Sequence, residues 1–167
     1  MLPSHVADLR KDFFECLSQV PIDWEPEIFQ ANTPFTAYLG IKDVFAVVND
    51  RLHYFDRYIK ADFFDLFLWT IDRDVSVRLV TTAGSVGSVR AISQLACQEF
   101  SDYQLVEVQP SKMHDRNLRI DNQIFTLGPG VDQAGMALTN FGPSDSSAAA
   151  HAAFDQIIAD GHIVHTS

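Results

Sequence analysis

The residues of this 167-residue chain best suited to chemistry gather in one segment. It reads Met113-His114-Asp115-Arg116-Asn117-Leu118-Arg119-Ile120-Asp121, followed by Gly128-Pro129-Gly130-Val131-Asp132. The spacing is H-x-R-x-x-x-x-D, with six residues between Asp121 and Gly128. On a strand, His114 and Arg116 share one face and Asp115 takes the other. An imidazole can attack as a nucleophile or deliver a proton. A guanidinium beside it offers a planar fork of donors to an oxyanion. The pair therefore suits a phosphate or a carboxylate. Asp121 is placed to hold the imidazole in one orientation. Gly128 and Gly130 let backbone come close to a ligand. Taken alone, a His-x-Arg pair on a strand is most often a hydrogen-bonded structural pair; the added aspartate and glycine spacing lifts this one above that.

Other candidates are weaker. His162 and His165 stand three apart after His151, but on a strand they face opposite sides, and no metal site is expected. Gly84-Ser85-Val86-Gly87-Ser88 lacks the lysine of a phosphate-binding loop and reads as a strand-to-helix turn. Trp24 and Trp69 read as core or loop anchors. Asp56-Arg57-Tyr58 closes a strand and reads first as a capping and packing element.

These residues need a scaffold. A helix is expected from Ser4 to Val20, with Val6, Leu9, Phe13, Leu17 and Val20 on one stripe and Pro21 as its stop. Ile22 to Asn32 has no period and reads as a linker. Thr33 and Pro34 open a second helix whose inner face is Phe35, Leu39, Phe45 and Val48. Strands and helices then alternate. Arg51–Asp56 is a strand, Ile59–Ile71 a helix and Val75–Thr81 a strand. Thr82–Gly87 is a loop, Ser88–Phe100 a helix and Tyr103–Val108 a strand. Asn117–Asp121 and Gln123–Leu127 form a hairpin around Asp121-Asn122. Gly128–Gly135 is a loop and Ala137–Phe141 a strand. A helix capped by Asp145 runs to Ala159, small-sided enough to be buried in the fold or in a subunit contact. Ile163–His165 is the last strand. This order predicts an α/β sandwich, a mixed sheet between helix layers with an extra N-terminal helix. Residues 1–32 are then helix and linker, and 33–167 the domain.

Composition bounds the function. The net charge of −10, from 22 Asp+Glu against 12 Lys+Arg, argues against a nonspecific nucleic-acid binder and against a polybasic lipid contact. Cys16 and Cys97 are the only thiols. With no secretory pattern at Met1-Leu2-Pro3-Ser4-His5, they read as buried thiols of a cytoplasmic protein. The most apolar run, Phe63–Ile71, is too short to span a bilayer.

The segment H-x-R-x-x-x-x-D with its following glycine resembles the phospholipase D superfamily signature, H-x-K-x-x-x-x-D-x-x-x-x-x-x-G-S, on His114, Asp121 and Gly128. The likeness extends over roughly Thr33 to His165. Arg116 stands where the family has lysine, and Pro129 where it has serine. HDRNLRIDN and Gly128-Pro129-Gly130-Val131-Asp132 are closer to a variant His-Asp-Arg branch. That branch includes the phospholipase-D-like C-terminal domain of MIT-domain proteins, regarded as keeping the fold without hydrolysis and as binding partners or lipid head groups. The resemblance implies a single phospholipase-D-like half-domain with a degenerate phosphate cleft at His114, Arg116 and Asp121. Asp56, Arg57, Tyr58, Gly128, Gly130 and Asp132 would border it. It implies a homodimer, a phosphate-containing ligand or a protein partner, and no cofactor. The alternative is a homodimeric, metal-independent phosphodiesterase or nuclease in which His114 forms a phosphohistidine. Only then is nucleic acid expected as a ligand, with Arg57, Arg116 and Arg119 as its cationic patch.

Overall fold

The computed structural model describes residues 25–167, apart from the Asp132 side chain. The expected helix at Ser4–Val20, Cys16 and Trp24 lie outside the described residues. The elements are β1 (Glu27–Phe29), α1 (Pro34–Phe45), β2 (Arg51–Phe55), α2 (Ala61–Leu66), β3 (Ser76–Thr81) and α3 (Ala83–Glu99). There follow β4 (Tyr103–Glu107), β5 (Arg116–Ile120), β6 (Gln123–Leu127), β7 (Thr139–Pro143), α4 (Ala148–Ala159) and β8 (His162–Thr166). One eight-stranded sheet takes the order β1-β7-β6-β5-β2-β3-β4-β8. β2, β3 and β4 run parallel, and the remaining pairs are antiparallel. This is the expected α/β architecture with a mixed sheet.

Strand alternation decides what each face of the sheet holds. Leu52, Tyr54, Val77, Leu79, Leu105, Leu118 and Ile120 point into the main core beside Ile41, Phe45, Phe63, Phe67 and Val89 of the α1–α3 layer. Phe55, Val80, Val106 and Val108 point the other way, under Phe154, Ile157 and Ile158 of α4. β2 and β3 end, and β5 begins, at one edge of the sheet, so that edge collects Asp56, Thr82 and His114.

Several local expectations are corrected. Residues 27–29, read as linker, pair with β7 as an edge strand with Phe29 buried; three residues are too few to show a period. α1 buries Ala37, Ile41, Val44 and Phe45, while Phe35 and Leu39 face outward. The Thr33 hydroxyl does not cap α1 and instead donates to the Gln30 carbonyl at 2.6 Å. The helix expected at Ile59–Ile71 is one turn and a half, followed by a separate 3-10 turn at Leu68–Thr70. The expected loop Thr82–Gly87 is already helix from Ala83. Gly84 and Gly87 face open space there, so glycine breaks no packing. The Ser147 hydroxyl, not Asp145, accepts from the Ala150 N–H at the start of α4. Asp145 steps back one level and accepts from Ser147. α4 has no fully buried residue, because among the described residues it covers that face by itself. Trp69 is exposed and does not anchor the core.

Candidate functional site

Asp56 is the centre of the edge. It follows β2, is 1% exposed, and its backbone N–H donates to the Val80 carbonyl. A buried carboxylate needs donors on its lone pairs, and three are present. The Tyr54 hydroxyl donates to Oδ2 at 2.7 Å, the Tyr58 N–H to Oδ1 at 2.8 Å, and Arg116 Nε to Oδ1 at 3.2 Å. Arg116 also donates from Nη1 to the Gly128 carbonyl at 2.8 Å and lies over the Tyr58 ring at 5.7 Å. The Val131 N–H donates to the Tyr54 hydroxyl at 3.2 Å. Both ends of the Gly128–Val131 loop are thereby tied to Asp56, one through Arg116 and the other through Tyr54. Gly130 is buried at the start of the 3-10 turn Val131–Gln133.

Arg57 has a different task from the one expected. Its guanidinium donates to the carbonyls of Pro110 and Met113. Its own carbonyl accepts from the Thr82 and Ser85 hydroxyls at 2.9 and 3.0 Å. It therefore staples the 3-10 turn Pro110–Lys112 to the start of α3, directly ahead of His114. His114 is exposed, between that turn and β5.

Asp121 does not join these residues. It sits at the far end of β5, where seven residues of extended chain amount to roughly 23 Å from His114. There it adopts φ 50° at the hairpin and accepts from the backbone N–H groups of Asn49, Asp50 and Arg51. It fixes the turn that leads into β2, and its oxygens are occupied by that turn. Arg119 is also removed from the expected cationic patch. It is 1% exposed and points under α4. Nη2 donates to His53 Nδ1 at 2.7 Å and to Asp155 Oδ1 at 2.6 Å, and Nη1 donates to the His151 carbonyl. The edge thus brings together Asp56, Arg57, Tyr58, Arg116, Gly128 and Gly130 beside an exposed His114.

Two features escaped sequence reasoning. Tyr54 is indistinguishable from any apolar strand position until its hydroxyl is seen between Asp56 and Val131. The His53–Arg119 pair is registered directly across β2 and β5, and the one available signal was two basic residues at inward positions of apolar strands. Among the described residues, no group of three or more histidine, cysteine or acidic side chains is gathered as metal ligands. His165 Nδ1 lies 3.1 Å from the Ser93 hydroxyl, and His151 Nε2 lies 3.2 Å from the Asn122 carbonyl. No helix among the described residues is long and apolar enough to cross a membrane.

No protein-family model matches the chain, and no curated protein sequence does. Solved structures do. TrmBL2, an archaeal chromatin protein with a novel mode of DNA binding, superposes with TM-score 0.61 at 12% identity over 96% of this chain, which spans 63% of that one. NucT from Helicobacter pylori superposes with TM-score 0.63 at 9% identity, over 83% of this chain and 98% of that one. Nuc from Salmonella typhimurium, a phospholipase D family member, gives 0.60 at 12%, over 84% and 99%. Identities this low speak to architecture alone, and on that evidence the chain has the α/β fold of the phospholipase D family member Nuc.

Proposed function

We propose that this domain is a non-catalytic binding and assembly module that keeps the phospholipase D fold and a degenerate anion cleft. One observation carries the reading: Arg116 is already occupied by Asp56 and Gly128. A phosphoryl-transfer site needs cationic donors aimed at oxygens that gain charge in the transition state. Here the cation is neutralised by a buried carboxylate of the same chain, and a phosphate brought to it would meet that negative charge as well. Asp121, engaged at the other end of β5, supplies no orienting carboxylate to His114. The strongly acidic chain adds no field that would gather polyanions. What stays open at the edge is His114 with the exposed ring of Tyr58, a small amphipathic surface suited to a protein partner. A second copy of this chain, bringing its own edge, is the partner the reading favours.

A second reading has one observation in its favour, the exposure of His114. In a two-fold dimer with both His114 rings in one cleft, one ring would attack phosphorus and the other would protonate the leaving oxygen. The test is hydrolysis of bis-(p-nitrophenyl) phosphate and of DNA without metal, run beside sedimentation analysis of the oligomeric state. The module reading expects no turnover above His114→Ala in any oligomeric state. Turnover that disappears in His114→Ala overturns it.

A further inference from the structure

Trp69 and Leu95 are each 61% exposed, and both line one groove. It encloses ≈ 210 Å³ between α2, the 3-10 turn Leu68–Thr70 and the last turns of α3. Phe64, Leu68 and Phe100 form its floor and belong to the main core. Ile92, Leu95, Ala96 and Glu99, at three- and four-residue steps, form the α3 wall. α3 starts beside Thr82 at the His114 edge and rises roughly 24 Å to Glu99. There the Ser101 N–H donates to the Arg73 carbonyl, where β3 and β4 begin. The groove therefore lies at the opposite end of the sheet from His114 and is separate from that site. Pockets that take a whole small molecule usually hold ~300–1,000 Å³. This one is smaller, and its size suits a side chain inserted from outside.

The rim is acidic. Asp65 and Glu99 line the groove, and Asp62, Asp72 and Asp74 are exposed on the same stretch of chain. The one cation on the lining is Arg73. It donates from Nε to Glu99 at 3.2 Å and from Nη1 to the Ile71 carbonyl at 2.6 Å, and its guanidinium lies 4.6 Å from the centre of the Phe100 ring. The groove thus already receives a guanidinium of its own chain, over an aromatic ring and against a carboxylate. Asp65 and the exposed Trp69 ring offer the same two elements to a second cation. This charge selects the occupant. An acidic rim repels nucleic acid and anionic lipid. A second copy of this chain would bring the same rim and a further net charge of −10. A basic amphipathic segment complements both the rim and the floor.

We propose that this groove docks a basic amphipathic helix of a partner protein. The helix inserts a large apolar side chain between Trp69 and Leu95 and sets a lysine or arginine, one turn away, against Asp65. This surface does not depend on the His114 edge, so the two readings fail separately.

In the full chain with Trp24→Phe, Trp69 is the sole tryptophan. Its emission is titrated with a synthetic helical peptide of leucine and lysine, the leucines on one face, and with the leucine–glutamate counterpart. The lysine peptide should shift Trp69 emission and saturate at one equivalent, and the glutamate peptide should not bind. Leu95→Ser and Asp65→Lys should each weaken the lysine peptide at least ~tenfold. Ile28→Ser should leave it unchanged, because Ile28 is equally exposed but sits on β1, at the far end of the strand order from β4. No saturable response up to ~100 µM peptide, or equal weakening by Leu95→Ser and Ile28→Ser, overturns the proposal. Binding of the glutamate peptide, or no effect of Asp65→Lys, removes the charge argument and overturns it as well. A dimer in sedimentation that Leu95→Ser dissociates assigns the groove to a second copy and overturns it too.

Discussion

Lowering the pH should destabilise this domain through one residue, His53. Its ring is buried beneath α4, and burial, then the charges of Arg119, Arg78 and Arg51, lowers its pKa from 6.5 to about 2. Arg119 can only donate, so His53 Nδ1 accepts and the ring is neutral with its proton on Nε2. Nε2 itself has no hydrogen-bond partner among the described residues. In the unfolded chain the ring takes a proton near pH 6.5, whereas in the fold it does so near pH 2. Between those values the unfolded state binds more protons, so stability is full above pH 6.5 and falls as the pH drops toward the folded value. From pH 7 to pH 5 this one group removes about 2 kcal/mol. Urea unfolding at pH 7, 6 and 5 measures it, with His53→Asn as the comparison, because the amide oxygen can still accept from Arg119. The wild type should lose about 2 kcal/mol more than the variant over those two pH units. Parallel pH dependences in the two proteins would refute the reasoning and place a charged or solvated imidazole under α4.

Three further outcomes follow from the same contacts. Arg116→Ala should cost about 2–4 kcal/mol in urea unfolding, because it strands the buried Asp56 carboxylate; a loss under ~1 kcal/mol would mean a guanidinium free for ligand. Arg57→Ala should leave global stability nearly intact while hydrogen exchange at residues 110–115 accelerates by roughly tenfold or more, and unchanged exchange would remove Arg57 as the staple of the His114 loop. Gly135→Ala should cost about 2–4 kcal/mol by thermal or urea unfolding, since φ is 75° and Thr33 O would lie 2.5 Å from the new Cβ; a neutral result would show that the loop shifts freely away from α1.

The element order and the sheet were legible because strands buried on both faces announce themselves by composition, and because Pro34, Asp121-Asn122 and Gly161 mark real boundaries. The site was legible in part. Asp56, Tyr58, Arg116 and Gly128 do converge, since the ends of β2 and β6 and the start of β5 share an edge. What each residue does there was not legible. Spacing cannot tell whether Arg116 awaits a ligand or answers a carboxylate of its own chain, and only the burial of Asp56 decides it. Asp121 was misplaced for a simple geometric reason. Seven residues are a short interval in a helix and the full length of a strand, so the aspartate of the motif belongs to the opposite edge. Phe35 and Leu39 fit a helical period as well as Ala37 and Ile41 do, and α1 has apolar residues on both stripes, so periodicity alone could not choose the inner one.

The central claim, that this fold carries a neutralised site without phosphoryl-transfer chemistry, meets its most direct test at the His114 ring. The full chain is incubated with excess bis-(p-nitrophenyl) phosphate, and its intact mass and released p-nitrophenolate are followed through a single turnover. The account predicts unmodified protein and no burst of p-nitrophenolate. A p-nitrophenyl phosphoryl adduct mapped to His114, formed as one equivalent of p-nitrophenolate leaves, would contradict it.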